Sequence, residues 1–383
     1  MNPYISKEHE ELRKKVREFA VNEVKTLAAQ LDEQEEFSTQ LTKRMGDLGL
    51  FGIYLPEKYG GQGKDYLSLL IAVEEIARID ASQASTLAAH NSLGIGPIYH
   101  FGTEEQKQKY LPKLTTGDHV WAFGLTEDNA GSDSRGTAST GEKENNEWII
   151  NGTKRFISNA SSSSSLGVTL QVVTGEQDGK KELSAILVDR STEGYKAEPL
   201  KGKMMWRASD TALLSFENCK VPKGNLLGEL GQGAKIMLKT LDSGRLTIAA
   251  MGLGLAQGAY EVALSYAQKR EQFGKPIAKF QAIGFKLADM ATKIEAARNL
   301  LYQACWLKDN GQPFGKESAM AKLFCSEVAQ EVANEAVQIH GAYGLVKESE
   351  IERFYRDQRI LQIGEGTSEI LRLVISRHVL DAD

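Results

Sequence analysis

The sequence has few of the residues that form covalent or metal cross-links. Only three cysteines occur in 383 residues, and no two of them form a C-x-x-C pair. The six histidines are scattered and form no H-x-x-x-H pair. This pattern argues against a disulfide framework and against a structural zinc site. We therefore expect no metal in this protein.

Long apolar runs and an excess of charge of one sign are also missing. No stretch approaches the ~18 consecutive apolar residues that a membrane-spanning helix needs. The N-terminal segment is charged from Lys7 onward and lacks the apolar run of a secretory signal. The 46 basic and 51 acidic residues give a net charge of −5, without a polybasic block. We expect a cytoplasmic protein with no membrane span and no nucleic-acid partner.

The rest of the composition is that of a large globular protein. Apolar residues make up 41% and charged residues 25% of the chain, which is typical of folded domains. At ~150 residues a domain, the length indicates two or three domains. We predict an α+β multidomain protein with an N-terminal α-helical domain at 1–121, a middle β domain at 122–229 and a C-terminal α-helical bundle domain at 230–383.

Helical periodicity dominates the first and last thirds. In the first third, apolar residues recur at helical spacing, and Thr103 and Gln106 have the spacing of a capping box. In the last third, one long helical pattern starts near residue 230, and others follow at 280–306, 318–340 and 349–380. Short links between long helices are typical of an antiparallel four-helix bundle.

The middle third has the pattern of β-structure. Asn151-Gly152 lies between two apolar runs and is a strong signal for a hairpin turn. Val168, Leu170 and Val172 alternate with polar or smaller residues, as in a half-buried strand. Several short strands separated by turns predict a β-barrel or a β-sandwich.

One acidic residue stands out because of its neighbours. Glu365 lies between Gly364 and Gly366, where the backbone is unusually free and easily approached. Burial of such a carboxyl group would raise its pKa towards that of a working base. The alternative is a structural role, in which Thr367 or Ser368 caps the following helix. The residues alone leave both interpretations open.

Other segments also have a functional and a structural interpretation. Arg270 shares a helical face with Phe273 and is either a phosphate ligand or a solvated helix residue. Residues 124–133 are rich in glycine and hydroxyl groups and form either a binding loop or a plain linker. Gly252 and Gly254 lack the strand-to-helix context of a dinucleotide-binding motif, so we expect them to let helices pack closely.

Several motifs, in order along essentially the whole chain, resemble those of the acyl-CoA dehydrogenase family. They are AFGLTEDNAGSD at 122–133, NGTKRFISN at 151–159, Arg245, REQFGK at 270–275, QIHGAYG at 338–344, Arg356-Asp357 and EGTSE at 365–369. The resemblance implies the same α–β–α plan, FAD as cofactor and oxidation of an acyl-CoA to the 2-enoyl-CoA. It also implies an electron-transferring flavoprotein as partner and a homotetramer built as a dimer of dimers.

The resemblance assigns roles to individual residues. Glu365 matches the base that removes the Cα proton while a hydride passes from Cβ to N5 of FAD. The positions that match FAD-binding residues are Phe123, Leu125, Thr126, Phe156, Ser158, Arg270, Phe273, Gln338, Gly341, Thr367 and Glu369. Four of these, Arg270, Phe273, Gln338 and Gly341, match residues that hold the ADP half of an FAD bound mainly by a neighbouring subunit. The positions that match substrate-binding residues are Ser132, Arg245, Gly364 and Gly366.

The chain departs from the family pattern at several positions. Phe156 and Ser158 stand where the family often has Trp and Thr, which keeps an aromatic shield and a hydroxyl group for the flavin. Ala342 replaces a common glycine. Some members place the base on the helix that contains Arg245, but the corresponding residue here is Gly244.

Two positions bear on the acyl group. Gly364 stands where many straight-chain members carry Tyr, and Gln83 falls close to the carboxylate-binding Arg of glutaryl-CoA dehydrogenases. We expect a neutral short, branched or alicyclic acyl-CoA rather than a dicarboxylic one, because a neutral amide cannot pair with a distal carboxylate. Two alternatives stay open: an oxidase-like or enoyl-CoA-reducing flavoprotein on the same scaffold, and a non-catalytic acyl-CoA-binding protein.

Overall fold

The computed structural model describes residues 2–380. Helices form its N-terminal part, strands its middle and helices its C-terminal part, so the predicted α–β–α order is confirmed. The N-terminal helices are α1 (Lys7–Phe19), α2 (Lys25–Gln34), α3 (Thr39–Asp47), α4 (Tyr66–Ala77), α5 (Ala81–Ala89), α6 (Gly96–Phe101) and α7 (Glu104–Leu114). Two π-helical segments, Ala20–Val24 and His90–Ile95, extend α1 and α5.

Side-chain caps explain where several of these helices begin. The hydroxyl group of Thr103 accepts from the N–H of Gln106, and the Gln106 side chain accepts from the N–H of Thr103. The predicted capping box at the start of α7 is therefore confirmed. Asp65 and Asp80 likewise accept backbone N–H groups at the starts of α4 and α5. Each cap satisfies a donor that has no acceptor within its own helix.

The N-terminal and C-terminal helices share one hydrophobic core. Every residue of α4 is buried, and α4 packs against α8 (Gly233–Lys269). A β-carbon at Gly254 would lie 2.2 Å from the carbonyl oxygen of Glu74, and one at Gly258 would lie 2.1 Å from that of Arg78. Only glycine lets the two helices approach this closely, so the interpretation of the glycines in α8 as helix-packing residues is confirmed.

Eight strands of the middle part belong to one sheet. Their order is β6–β7–β3–β2–β4–β5–β8, and β1 pairs with β4 in parallel. The alternating side chains of Val168, Leu170 and Val172 lie on β4 and are fully buried. The strands are β1 (Val120–Gly124), β2 (Thr140–Glu144), β3 (Glu147–Ser158), β4 (Ser165–Gln177), β5 (Lys180–Asp189), β6 (Tyr195–Pro199), β7 (Thr211–Pro222) and β8 (Leu226–Leu227).

The hairpin turn predicted at Asn151-Gly152 is wrong. Both residues lie inside β3, where the register with β7 shifts beside Gly152. Gly152 has a φ of +135°, and a β-carbon there would lie 2.4 Å from Oγ of Ser139. The glycine therefore allows a bulge at a crowded position rather than a turn. The turn between β2 and β3 instead falls at Asn145, which has a φ of +51°.

The C-terminal helices follow the predicted pattern except at the end. A single helix over 349–380 is wrong, because this segment divides into α11, a 3₁₀-helix at Gln358–Gln362 and α12. Glu365 and Gly366 have φ values of +53° and +100° between the last two of these elements, which no α-helix accommodates. The elements after α8 are β9 (Glu271–Gln272), β10 (Lys275–Pro276), α9 (Gln281–Asp309), α10 (Gly315–His340), the 3₁₀-helix Gly341–Leu345, α11 (Ile351–Asp357) and α12 (Ser368–Leu380).

Among residues 2–380, no helix combines the length and the apolar character that crossing a bilayer requires.

Candidate active site

Glu365 sits on the turn that separates the last 3₁₀-helix from α12. Its left-handed backbone is unfavourable for a residue with a side chain, and such conformations concentrate at functional sites. The residue is half-buried, but its Oε2 atom is fully enclosed and forms no hydrogen bond with any of residues 2–380. The hydroxyl group of Thr367 accepts from the N–H of Ile370 and caps α12. The turn thus has both features considered from the sequence, a helix cap and an exceptional carboxyl group.

The electrostatic environment of Glu365 suits a proton acceptor. Burial of the carboxyl group raises its pKa from 4.5 to about 7, although Lys322 and Arg245 oppose this shift. A carboxyl group with a pKa near neutrality is ionised often enough to accept a proton and basic enough to hold it. Within residues 2–380, no hydrogen bond competes for the Oε2 atom of this carboxyl group.

Two buried cations from neighbouring helices surround this carboxyl group. Arg245 on α8 is almost fully buried, and its guanidinium donates to Oδ1 of Asp242 at 2.7 Å. Lys322 on α10 is completely buried, and its Nζ donates to the carbonyl oxygen of Gly366 at 2.6 Å. The two cations favour the anionic form of Glu365, but they do not outweigh the burial that raises its pKa.

The backbone beside Glu365 offers a second functional group. Among residues 2–380, no acceptor forms a hydrogen bond with the N–H of Glu365. A free N–H next to a free carboxyl oxygen can therefore donate to a bound carbonyl group while the carboxylate acts on a neighbouring carbon atom.

A second group of predicted residues lies at the end of β1, in the segment directly after it and on β3. Phe123 and Leu125 are nearly buried, while Thr126 and Ser158 are half-buried. The N–H of Arg155 donates to the carbonyl oxygen of Thr126 at 2.9 Å and ties the two segments together. The structure thus brings both halves of the predicted flavin-ring site onto neighbouring backbone segments.

A buried ion pair lies beneath this segment. Nζ of Lys154 donates to Oε1 of Glu127 at 2.6 Å and to the carbonyl oxygen of Leu125 at 3.2 Å. Glu127 also accepts from the N–H groups of Ala138 and Ser139. Burial lowers the pKa of Lys154 to about 8, and the bond to Glu127 opposes this shift. Both partners are thus well hydrogen-bonded, as buried charges must be, and they hold the backbone on either side of Thr126.

The chemistry of this group fits a flavin ring. The Phe156 side chain is 64% exposed, and its φ of +60° is unusual for a residue with a bulky side chain. An aromatic ring held out in this way can cover a flat ligand, and the nearby Thr126 and Ser158 supply hydroxyl donors. The donor set therefore suits FAD.

A third group of predicted residues lies at the surface. Arg270, Phe273, Gln338 and Gly341 are all exposed, and the Phe273 side chain is 92% exposed. The guanidinium of Arg270 lies 5.5 Å from the ring centre of Tyr343, which brings the Arg270 turn close to the segment after α10. These four residues present an aromatic ring and polar groups outward, away from the core of their own chain.

The remaining predicted residues are also accessible. Ser132 is exposed in the loop after β1. Thr367 and Glu369 line a surface cavity of about 340 Å³ together with Arg359 and Arg372. Gly364 and Gly366 flank the base and are half-buried. No group of three or more metal-ligating side chains occurs in the part of the chain that the structure describes.

Sequence reasoning missed Lys322 and the Lys154–Glu127 pair. Lys322 falls on the buried face of α10 among Ser318, Ala321 and Cys325, and a charge at such a position of an apolar stripe is a detectable signal. Lys154 continues the inward alternation of Trp148 and Ile150 along β3, so a lysine on this otherwise apolar face of the strand was also a detectable signal.

Comparisons with known proteins agree along the whole chain. Three family models match successive parts: the acyl-CoA dehydrogenase N-terminal domain at residues 6–118, the middle domain at 122–219 and the C-terminal domain at 231–380. Probable acyl-CoA dehydrogenase YngJ of Bacillus subtilis is 48% identical over 381 residues, which is 99% of this chain and 100% of that protein. The mitochondrial short-chain specific acyl-CoA dehydrogenase of Rattus norvegicus is 46% identical over 372 residues, 97% of this chain and 90% of that one.

Solved structures give the same picture. Butyryl-CoA dehydrogenase from Megasphaera elsdenii superposes with a TM-score of 0.96 at 40% identity, covering 99% of this chain and all of that one. A chain from a structure named for the electron transferring flavoprotein of Acidaminococcus fermentans has a TM-score of 0.96 at 43% identity, with coverage of 99% and 100%.

Proposed function

This chain belongs to the acyl-CoA dehydrogenase family, and we propose that it oxidises a short, branched or alicyclic acyl-CoA to the 2-enoyl-CoA with Glu365 as the base. Members of the family are FAD-dependent oxidoreductases, so this chain is an FAD-dependent acyl-CoA dehydrogenase. The proposal of the base rests on one observation, the enclosed and unpartnered Oε2 atom of Glu365 in its cationic pocket.

The proposed role of Glu365 is removal of a proton from Cα of the thioester. A Cα–H bond is weakly acidic, so the negative charge that develops on the thioester oxygen needs stabilisation. The free N–H of Glu365 is suited to donate to that oxygen, and loss of one such donor costs roughly 3 kcal/mol or more in other enzymes. Base and donor then belong to one residue and move together with the turn.

FAD, when bound, accepts the hydride that leaves Cβ of the substrate. The residues proposed to hold its ring are Phe123, Leu125, Thr126, Phe156 and Ser158. Their task is to orient the ring and exclude water, and the Lys154–Glu127 pair keeps their backbone in place. Ser132 and Arg245 are proposed to contact the CoA ester, and Thr367 and Glu369 to contact FAD.

The local packing at Gly364 supports a substrate with bulk near the reacting carbons. A β-carbon at Gly364 would lie 3.6 Å from the carbonyl oxygen of Ile360 and 3.7 Å from its side chain, which are ordinary contacts. No positive φ demands glycine there either. Because neither packing nor backbone conformation explains the missing side chain, we infer that the space beside Glu365 serves the acyl group.

Gln83 supports a neutral acyl group. Its side chain is buried, and neither amide atom has a hydrogen-bond partner. Nε of the nearby Arg353 lies 3.6 Å from Oδ2 of Asp80, so this cation is already paired with a carboxylate. A dicarboxylic acyl chain would therefore bury an unpaired charge at this end of α5, at a cost of several kcal/mol.

The proposed electron acceptor is an electron-transferring flavoprotein. Support comes from the similarity to the chain in the structure named for such a flavoprotein. An oxidase-like enzyme would instead pass electrons to oxygen. Stopped-flow reoxidation of the reduced protein by air and by an electron-transferring flavoprotein separates the two, and faster reoxidation by air would contradict the proposal.

We also propose a homotetramer, a dimer of dimers. Arg270, Phe273, Gln338 and Gly341 are exposed on the single chain, so they are free to hold an FAD that a second copy binds. A monomeric and fully FAD-loaded species in light scattering would contradict this arrangement. The cytoplasmic location stays a prediction.

One experiment tests the proposed function most broadly. The purified, FAD-loaded protein is mixed anaerobically with straight, branched, alicyclic and dicarboxylic acyl-CoA esters, and loss of flavin absorbance is followed. We expect rapid bleaching by short neutral esters and little by glutaryl-CoA. A colourless protein, or one that no ester bleaches, would instead support a non-catalytic acyl-CoA-binding protein.

A further inference from the structure

Lys322 is an unusual residue for the interior of a helical domain. Its side chain is completely buried on α10, where the neighbouring buried positions are small or apolar, such as Ala319, Ala321 and Cys325. Burying an ammonium group costs several kcal/mol unless hydrogen bonds and opposite charges compensate. The apolar side chains around Lys322 cannot offset this cost. The compensating hydrogen bond and opposite charges must therefore come from the site that its ammonium group faces.

The only hydrogen bond recorded for its ammonium group, within residues 2–380, points at the catalytic turn. Nζ donates to the carbonyl oxygen of Gly366 at 2.6 Å. Gly366 has a φ of +100° and directly follows Glu365, which is itself left-handed. This carbonyl group belongs to the peptide plane between Gly366 and Thr367, so the hydrogen bond restrains the turn one residue after Glu365 and limits how far the Glu365 side chain can shift with it.

Two negative groups attract the ammonium group of Lys322, and one positive group repels it. Glu365 attracts its ammonium group, and Glu369 at the start of α12 adds a weaker attraction. Arg245 on α8 repels it and is itself paired with Asp242. Tyr66 on α4 also faces Glu365 but is neutral, because burial raises its pKa. Burial lowers the pKa of Lys322 to about 8, which still leaves it charged at neutral pH.

We propose that Lys322 is a positioning residue for the base: its ammonium group holds the Gly366 carbonyl, which fixes the left-handed turn, and its charge keeps the Glu365 carboxylate anionic. This proposal rests on the proposed role of Glu365. The two effects are distinct, since one acts through a hydrogen bond to the backbone and the other through space on the carboxyl group.

Two substitutions separate the hydrogen bond from the charge. Lys322→Met keeps the length of the side chain but removes both the donor and the charge. Lys322→Gln removes the charge and keeps an N–H donor that can reach towards Gly366. A matched control is Lys203→Met, because burial also lowers the pKa of Lys203 to about 8 and its Nζ also donates to a carbonyl oxygen, that of Ser209, at 2.6 Å.

The measurement is the rate of flavin reduction by butyryl-CoA as a function of pH, in the FAD-loaded protein without oxygen. Loss of a nearby positive charge raises the pKa of a carboxyl group by about 1 unit or more. We expect the acid limb of the profile to move upward by about 1 pH unit in both Lys322 variants and to stay unchanged in Lys203→Met. The plateau at high pH should fall further in Lys322→Met than in Lys322→Gln.

Thermal unfolding supplies a readout that does not depend on turnover. If the two side chains interact, the shift in Tm of the Lys322→Met, Glu365→Gln double variant differs from the sum of the single shifts. Additive Tm shifts, or an unmoved acid limb in both Lys322 variants, would each overturn the proposal. If Lys322→Met does not fold, the pH profile and the Tm of the double variant are measured with Lys322→Gln instead.

The same experiments distinguish this proposal from the assignment of the base. Near-normal flavin reduction by Glu365→Gln would remove the base and the positioning role together. Loss of reduction in Glu365→Gln with an unmoved acid limb in the Lys322 variants would leave the base intact and reject only the role of Lys322.

Discussion

Gly244 and Glu365 fit together so closely that any side chain at position 244 would displace the Glu365 carboxyl group. A β-carbon at Gly244 would lie 2.0 Å from Oε2 of Glu365 and 3.0 Å from the side chain of Leu93. The glycine in α8 therefore makes room for a carboxyl group that projects from the turn before α12. Only one of these two positions can carry an acidic side chain in this arrangement.

This contact predicts the effect of Gly244→Ala. The added methyl group pushes the Glu365 carboxylate aside, and displacement of a catalytic group by about 1 Å costs ~100-fold in rate. We expect flavin reduction by butyryl-CoA to slow by about that factor, measured by stopped flow. The control is Gly284→Ala on α9, where nothing lies within 4 Å of the added carbon. Equal rates in Gly244→Ala and the wild type would show that the base is not seated against α8.

The raised pKa of Glu365 predicts a stability that falls as pH rises. The carboxyl group has a pKa of 4.5 as a reference and about 7 in the folded protein. Between these values the folded state binds more protons than the unfolded state, so the free energy of unfolding decreases with increasing pH. Its stabilising contribution is complete below pH 4.5 and is lost above about pH 7.

Glu365→Gln removes this titration and tests its sign. We expect the variant to match the wild type in Tm near pH 4.5 and to exceed it at pH 8, by up to about 3 kcal/mol in unfolding free energy. The difference should develop between those two pH values and then level off. A Tm difference that does not change with pH would mean that the carboxyl group titrates normally.

The space beside Gly364 predicts a change of substrate preference. The β-carbon of Gly364→Tyr would meet Ile360 only at ordinary contact distances, and the ring is expected to fill the region next to Glu365. We expect reduction by branched or alicyclic esters to slow at least 10-fold relative to butyryl-CoA, on the order of 1–2 kcal/mol of discrimination. Rates of flavin bleaching with each ester measure this. Equal losses for straight and branched esters, or a wild-type preference for glutaryl-CoA, would contradict the pocket assignment.

The buried pair beneath the flavin loop predicts a coupled loss of stability and cofactor. Lys154→Met leaves the carboxylate of Glu127 buried without its cation, which typically costs 3–5 kcal/mol. We expect a lower Tm and a smaller fraction of bound FAD after purification, read from the ratio of visible to ultraviolet absorbance.

An exposed pair is the control for this variant. Lys58 and Glu104 are each 59% exposed and 3.4 Å apart, so Lys58→Met should change the unfolding free energy by less than about 1 kcal/mol. Full FAD occupancy in Lys154→Met at wild-type Tm would show that the pair does not support the loop.

Local signals in the sequence predicted the fold well wherever the determinants were themselves local. The capping box at Thr103 and the alternation at Val168, Leu170 and Val172 both appear in the structure. The hairpin turn predicted at Asn151-Gly152 was wrong because a bulge and a hairpin turn both use residues that tolerate positive φ. What decides between them at Gly152 is the approach of Ser139, a contact between strands that no local pattern records.

The residues of the candidate site were likewise predicted where the signal was local and missed where it depended on long-range contacts. Glu365 stood out through its flanking glycines, and family motifs pointed to the other residues. The break in the helical pattern at 363–367 was indicated only by the possible cap at Thr367 or Ser368, because a helical period fits the segment on both sides of it. Lys322 was also missed, since its meaning depends on a carbonyl group 44 residues away in sequence. Such long-range contacts arise only from the packing of α8, α10 and α12 against one another.

The central claim is that Glu365 is the base, and Glu365→Gln tests it most directly in anaerobic stopped flow with butyryl-CoA. The control is Glu142→Gln, a substitution of an exposed carboxylate on β2. We predict that Glu365→Gln retains bound FAD but is reduced roughly 10²–10⁴-fold more slowly than the wild type, whereas the control is reduced normally. Reduction of the FAD-loaded Glu365→Gln variant at close to the wild-type rate would contradict the assignment.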